Sequence, residues 1–418
     1  MNQRLRVIGG GPAGFFAAIR AAELNPSAEI RLLEALDAPL RKLLRTGGGR
    51  CNLTHAGLAP GDFAQRFPRG SKEMTGPFHR FSAEDTRAWF AQRGVPTVVE
   101  ADGRVFPATH CAETVAEGLL REARRLGVQV RTGHRVRSLQ APSCPGEGWK
   151  ISVSGVMDSA DGVVVATGGE RGSGEILGGL ELRIVSPVPS LFGFRFRDAL
   201  LEGLAGLSFS CVGLSFPAHK LRTGGPMVIT HEGLGGPAVL TLSSLAARVL
   251  AEAGYEGDLV VNWTGMDPDE AWERLLTHAA EHPRKRMGGA GAFDLPSRLW
   301  VRLVAAAEVP ADRPWAEFGK KAGRALFDRL TATRLFLRGR SVHSDEMVTA
   351  GGLDLRDLSF PSFECRRYPG LFVAGEALNV DAYTGGYNLQ AAWTSGYLAG
   401  SALGRGRPNE WSEKENPE

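Results

Sequence analysis

A glycine-rich turn close to the start of the chain, Gly9-Gly10-Gly11-Pro12-Ala13-Gly14, constrains the fold more than any other feature. Its spacing is Gly-x-Gly-x-x-Gly, a weak signal alone, but its surroundings come in the order the motif requires. Residues 5–8 (LRVI) read as a short apolar strand, 15–24 suit a buried helix, and 29–34 (EIRLLE) supply a second strand that ends in an acid. This is the βαβ opening of a doubly wound α/β domain. The first glycine permits the tight turn, the second lets a pyrophosphate approach the backbone, and the third lets helix and strand pack closely. Phosphates would then face free N–H groups at the positive end of the helix. Glu34 stands 34 − 14 = 20 positions past the last glycine, at a strand end, where a carboxylate can accept from both ribose hydroxyls and disfavours a 2′-phosphate. A core turn that binds nothing would not need the strand, the helix and the acid together.

Length sets the next bound: 418 residues exceed what one hydrophobic core usually serves, so two or three domains are expected. The charge balance, 49 − 46 = +3, without a basic, aromatic stripe, leads us to expect neither nucleic acid nor an anionic membrane as partner. No run of about 18 apolar residues exists, so no membrane span is expected. Glycines and a proline break the apolar start, which argues against a signal peptide. Five scattered cysteines with no CxxC pair point to a reduced, cytoplasmic protein without a cysteine-based metal site.

Along the chain, residues 41–55 (RKLLRTGGGRCNLTH) form a basic, glycine-rich loop with no periodicity. A helix is expected at 112–126, then strands near 128–140, 149–154 and 162–166. From residue 183 short β-like runs dominate to about 265, residues 268–325 look helical, and strand-like sequence resumes at 334–338. A strand at 371–374 and a helix at 388–402 close the pattern. A second formal match, Gly233-Leu234-Gly235-Gly236-Pro237-Ala238, is read as a helix N-terminus. Asp258, 20 positions after Ala238, precedes the next strand rather than ending it, so it would not reach a ribose. No independent NAD(P)H domain is then visible.

A nicotinamide dehydrogenase could open in the same way, but distant segments favour FAD. Residues 163–169 (VVVATGG) and 369–376 (PGLFVAGE) are buried strands that end in turns of the kind found beside flavin cofactors. Residues 384–390 (TGGYNLQ) open a helix whose N–H groups would face the flavin O2/N1 edge, which gains negative charge on reduction.

GGGPAG, GGGRCNLT (47–54), HEGLGGPA (231–238) and AGEALNVDAYTGGYNLQ (374–390) together resemble the BaiN/RdsA (YhiN-like) family of NAD(P)/FAD-dependent oxidoreductases, from residue 7 to about 400. The resemblance implies a two-segment Rossmann-like FAD domain of the glutathione-reductase and fumarate-reductase type, interrupted by a β-barrel-like domain and a small helical domain. The expected boundaries are 1–182 with 342–404 for the FAD domain, 183–266 with 326–341 for the barrel, 267–325 for the helices, and a disordered tail at 405–418. It implies non-covalent FAD contacts at Gly9, Gly11, Pro12, Ala13, Gly14, Glu34 and Lys42, and in the loop Gly48, Gly49, Arg50, Cys51 and Asn52. It adds Val136 beside the adenine, Thr167, Gly168, Gly375 and Glu376, and finally Gly386, Tyr387, Asn388, Leu389 and Gln390. Thr46, Gly235 and the pair Ala382-Tyr383 depart from the family pattern, which bears on the substrate more than on the cofactor.

Flavin chemistry asks the protein only to position substrate, tune the ring and move protons. Arg50 could stabilise negative charge, or serve an ion pair. Cys51, without a second cysteine nearby, reads better as a small packed residue than as a redox group. His231 is the leading candidate for proton transfer, against the plainer reading of a loop histidine bonded to backbone. Tyr387 and Tyr383 would line a pocket, and Asp381 would cap a turn. The expected function is an FAD-dependent reductase of a small or medium organic molecule, fed by NADH or NADPH. The alternatives are an amine oxidase that passes electrons to O₂, and a non-catalytic FAD-bound redox sensor. The oligomeric state is not legible.

Overall fold

The computed structural model describes residues 2–406 apart from 145, 170, 290 and 342–347. The chain divides into two compact units, one running to Val188 and resuming at Val348, the other spanning Pro189–Met347.

In the first unit the opening folds as its sequence dictates. Strands β1 (Arg4–Ile8), β2 (Glu29–Leu33), β3 (Gln129–Arg131), β4 (Gly162–Val165), β5 (Leu358–Ser359), β6 (Glu364–Cys365) and β7 (Leu371–Val373) form one sheet in the order β5-β6-β7-β4-β1-β2-β3. The pairs β7–β4, β4–β1, β1–β2 and β2–β3 are parallel, and β5 and β6 add antiparallel at one edge. The central strands are apolar on both faces (Val7, Val163, Val164, Val165, Leu371, Val373), as a parallel sheet covered by helices requires. Helix α1 (Pro12–Leu24) leaves β1 through the glycine turn, and α2 (Tyr387–Arg405) packs along it. A Cβ on Gly396, Gly400 or Gly404 would lie 2.4, 2.4 and 2.8 Å from the carbonyl oxygens of Ala13, Ala17 and Ala21. Residues four apart share a helix face, so two ladders of small residues let the backbones nearly touch.

Arg6 interrupts the apolar run of β1, and its side chain is 1% exposed. Its guanidinium donates to Asp158 at 2.7 and 3.2 Å and to Glu29 at 3.2 Å. Asp158 comes from a three-stranded antiparallel sheet, Val136–Gln140, Trp149–Val153 and Val156–Ala160, so the buried charge ties that sheet to the main one.

In the second unit six strands close a barrel in the order Phe194–Phe196, Gly233–Gly235, Leu221–Ile229, Ser208–Phe216, Glu256–Asn262 and Thr333–Arg340. Helices Pro268–Glu281, Ser297–Ala306 and Lys320–Thr331 share one core with it, in which Trp263, Trp300 and Trp315 are fully buried. Trp263, the residue after the barrel strand Glu256–Asn262, donates through Nε1 to Thr333 Oγ1 at 2.9 Å, at the start of the neighbouring strand. The helix Lys320–Thr331 runs across the boundary expected at 325/326, and the shared core explains why the units number two. Helix α2 continues to Arg405, while positions 407–418 of the expected tail, and 342–347, lie outside the described residues.

The Arg6 cluster yields a stability test. Burial pushes the Asp158 carboxyl up, but hydrogen bonds and charge from Arg6, with charge from Arg31, outweigh it and hold the group below the usual carboxylate range. Its contribution is therefore present above the unfolded value near pH 4 and lost as pH falls through the folded one. Asp158→Asn should cost about 3 kcal/mol in urea unfolding at pH 7, and the gap from wild type should close on acidification. A constant gap across pH would contradict this account.

Candidate functional site

The glycines of the first turn do three different jobs. Gly9 adopts φ +110°, and a Cβ there would lie 2.3 Å from the Ala166 carbonyl oxygen. A Cβ on Gly14 would lie 1.9 Å from the Gly9 oxygen, so helix and turn fit only without one. Gly11 is the opposite case: nothing lies within 4 Å of the position a Cβ would take. Helix α1 starts at Pro12 with Gly11 as its N-cap, no side-chain cap and no acid in its first turn. The N–H groups of Ala13 and Gly14 therefore lack intrahelical partners beside open space at the positive pole. Glu34 follows directly on β2 and accepts from Gly10 N at 2.7 Å and Leu36 N at 2.8 Å, one bond per carboxylate oxygen. Each oxygen keeps a lone pair for a ribose hydroxyl. The His134 N–H donates to the Glu34 carbonyl at 2.8 Å, which brings the strand beginning at buried Val136 beside this acid.

The second segment meets the first at Gly375. Its φ is +68°, its N–H donates to Ser395 Oγ at 2.9 Å, and a Cβ would stand 2.8 Å from the Ala13 methyl. Glu376 binds Lys42 Nζ at 2.7 Å through one oxygen and Thr349 N at 2.7 Å through the other. Gly168, at φ +83°, lies 4.0 Å from the Glu376 carboxylate by its would-be Cβ. The hydroxyls of Thr167 and Thr349 are buried there without a hydrogen-bond partner.

The loop after Lys42 is a left-handed turn. Gly47, Gly48 and Gly49 have φ of +59°, +68° and +84°, and space is open around the last two. Cys51 also has positive φ, is wholly buried, and its thiol is pushed up to about 12 by burial, with a smaller opposing hydrogen bond to Thr46. That favours a packed residue over a reactive thiolate. The Asn52 amide oxygen accepts from Gly386 N at 3.1 Å and its nitrogen donates to Thr54 O at 3.0 Å, which fastens the loop to the start of α2. Arg50 turns away to Glu100 (2.7 Å) and stacks 4.0 Å above the Phe106 ring, the ion-pair alternative.

At the start of α2, side chains serve the fold and leave the backbone for a ligand. Tyr387 is buried, stacked on His55 (5.1 Å, 14°) and edge-on to Phe63, and burial raises its phenol. Asn388 clasps the Ala382 backbone at 2.9 Å twice, and Gln390 donates inward to Ser82 O at 3.1 Å and Thr394 Oγ1 at 3.0 Å. Leu389 is half-buried. Gly386 is the N-cap at φ +92°, again with no side-chain cap and no acid in the first turn. Asp381 is buried in an ion pair with Arg69. Half-buried Tyr383 has a raised phenol, chiefly from burial, with Arg69 and Arg66 opposing.

His231 belongs to the barrel unit, exposed in the turn between strands Leu221–Ile229 and Gly233–Gly235. Thr230 closes that turn, its backbone N–H donating to the Gly233 carbonyl at 2.8 Å and its Oγ1 accepting from Gly233 N at 3.1 Å. The second glycine match passes from the barrel strand Gly233–Gly235, where a Cβ on Gly233 would lie 2.3 Å from Phe194 O, into the helix Pro237–Leu245 with Gly236 as its N-cap, the helix start expected from the sequence. Sequence reasoning passed over Thr349, Ser395, His55 and Glu100. The Gly351-Gly352 pair beside Thr349 was the one local signal, since both glycines have positive φ in a buried strand.

An uncapped helix start beside open glycines, a strand-end acid, and two orphaned buried hydroxyls near a Lys–Glu pair suit a dinucleotide cofactor. The HI0933-like protein Rossmann domain matches residues 3–402. The chain belongs to the HI0933-like family. Its relatives include the 3-dehydro-bile acid delta(4,6)-reductase of Clostridium scindens, 29% identical over 96% of this chain and 98% of that one. The ribosomal RNA dihydrouridine synthase of Escherichia coli is 28% identical over 95% and 97%. In fold the chain resembles a variant of E. coli quinol fumarate reductase FrdA (TM-score 0.50, 16% identity, 99% of this chain and 72% of that one). It also resembles 3-ketosteroid delta1-dehydrogenase of Sterolibacterium denitrificans (TM-score 0.51, 11% identity, 96% and 100%). This HI0933-like protein is an FAD-dependent oxidoreductase with the Rossmann-like flavoprotein fold. Among the described residues no helix is long and apolar enough to cross a membrane.

Two outcomes test the site. Gly11→Ala should fold and melt like wild type yet purify without flavin, because its methyl occupies only the space open to the phosphates, whereas Gly14→Ala should be destabilised as well; a yellow Gly11→Ala protein would refute the assignment. Iodoacetamide at pH 8 followed by peptide mass analysis should label the exposed Cys144 and Cys211 and spare Cys51. Rapid alkylation of Cys51 in the folded protein would contradict its inert role.

Proposed function

We propose that the chain is a reductase of a carbon–carbon double bond conjugated to a carbonyl, drawing electrons from NADH or NADPH. The observation that carries the reading is the start of α2, where the N–H groups of Tyr387, Asn388 and Leu389 lack intrahelical partners while their side chains are engaged elsewhere or packed. A flavin bound at this site supplies two-electron hydride transfer. The chain supplies the rest. The Gly11 opening and the first turn of α1 would hold the pyrophosphate, and Glu34 the adenosine ribose. Lys42, Glu376 and Thr167 would hold the linking chain, and the positive pole of α2 would favour negative charge on the ring edge.

For the proton, Tyr383 is a better donor than Tyr387: its phenol is half-buried and stays protonated at neutral pH, whereas Tyr387 is sealed between His55 and Phe63. The names of the two curated relatives support the chemistry, since a 3-dehydro-Δ4,6 bile acid and a uridine both carry a double bond conjugated to a carbonyl. They leave open whether the carrier is a small molecule or RNA.

The test is anaerobic stopped-flow absorbance with NADH or NADPH, then addition of an enone. Loss of the flavin band near about 450 nm, and its return with the enone, is expected. Failure of both nucleotides to bleach the band, with bleaching by an amine instead, would overturn the reading in favour of an oxidase.

A further inference from the structure

We propose that Arg66 holds the carbonyl oxygen of the substrate and stabilises the negative charge which that oxygen gains during reduction. The inference rests on the reductase reading and adds a catalytic group to its site. Arg66 follows the short helix Pro60–Ala64 and is exposed. Its carbonyl accepts from Tyr383 N at 3.0 Å, and its own N–H donates to the Phe63 carbonyl at 3.1 Å. The Phe63 ring packs edge-on against Tyr387, with centroids 4.9 Å apart. Residues 63–66 therefore lie along residues 383–387, the approach to the positive pole of α2.

This locus offers donors whose acceptors are missing. Among the described residues the Arg66 guanidinium makes no ion pair, side-chain hydrogen bond or ring contact, and neither the Tyr383 nor the Tyr387 phenol makes a hydrogen bond. Burial holds both phenols in the protonated form at neutral pH, and the charge of Arg66 acts on each of them in the opposite sense. The two carboxylates that also act on these phenols are engaged elsewhere, Asp381 with Arg69 and Asp102 with Arg104 at 2.7 Å.

A conjugated carbonyl supplies the acceptor, and its reduction gives the cation a task. A hydride originating in NADH or NADPH forms the new C–H bond at the β carbon. The C=C electron pair then shifts between the α and carbonyl carbons, and the carbonyl pair moves onto oxygen. Arg66 donates to that oxygen, and the bond strengthens as charge develops there, which is the condition for lowering the barrier. A guanidinium keeps its proton at any working pH, so Arg66 holds the oxygen and leaves protonation to Tyr383. Tyr383 gives its proton to the α carbon, the carbonyl re-forms, and water returns a proton to the tyrosinate. The α carbon and the oxygen share one carbon atom, so the acid and the oxygen holder must be neighbours. The backbone bond between Arg66 and Tyr383 makes them so.

The experiment takes full-length, FAD-loaded protein, reduces it anaerobically with dithionite and mixes it with 2-cyclohexenone in a stopped-flow instrument. Equilibrium binding of 4-nitrophenolate, whose oxygen mimics that of an enolate, is measured on the oxidised protein by absorbance. Arg66→Gln should slow flavin reoxidation at saturating enone at least about a hundredfold, and should weaken 4-nitrophenolate binding about tenfold or more. Arg66→Lys should recover part of both. The bond to Tyr383 is made by backbone and survives either substitution, so flavin content and melting temperature should stay at wild-type values. Reoxidation of Arg66→Gln at the wild-type rate, or unchanged binding of the phenolate, would overturn the role of Arg66 and leave the reductase reading standing. Failure of the enone to reoxidise the reduced wild type would overturn both.

Discussion

The site depends on how closely α1 and α2 approach. Residues nearly four hundred positions apart in the chain come together because Ala13, Ala17 and Ala21 face Gly396, Gly400 and Gly404, and neither ladder carries a side chain large enough to hold the helices apart. That contact joins the two segments of the discontinuous unit. It also sets Gly375 against Ala13, which delivers Glu376 to Lys42 and the second glycine loop to the first. What the seam contributes is position, since van der Waals packing at this range tolerates no added methyl.

Local features were legible in the sequence and long-range ones were legible only in part. The strand–glycine–helix–strand opening could be read because its three glycines and Glu34 constrain one another over about thirty residues. The barrel showed only as a run of short β-like segments, because closure is decided by which strands pair. The link between Phe194–Phe196 and Thr333–Arg340 spans well over a hundred residues and leaves no local trace. The small-residue ladders were present in the sequence and read simply as buried helix, since glycine four apart gains meaning only when the partner helix is known.

The start of α2 shows a further limit. Resemblance singled out Gly386 to Gln390 as a cofactor element, and the segment does begin an uncapped helix, but the side chains of Tyr387, Asn388 and Gln390 hold the protein together. Residue identity there reports on scaffolding, while the groups free to meet a ligand are backbone N–H groups that any sequence would carry. Arg50 is similar: a cation beside three glycines invites a role at the ligand, yet Glu100 and Phe106, from a hairpin fifty residues on, engage it.

The pairing of Ala13 with Gly396 and of Ala21 with Gly404 means that the two helices run parallel, with both positive poles at the same end. Their starts are not level. Helix α2 begins nine residues before Gly396 and α1 one residue before Ala13, so the second pole projects beyond the first by about 12 Å. The ladder thereby acts as a ruler that fixes the spacing between two sites of electrostatic attraction. Sliding it by one rung of four residues would move one pole by about 6 Å relative to the other. An elongated anion with charge at two separated points would then be gripped at one end only, although every residue that touches it had been kept.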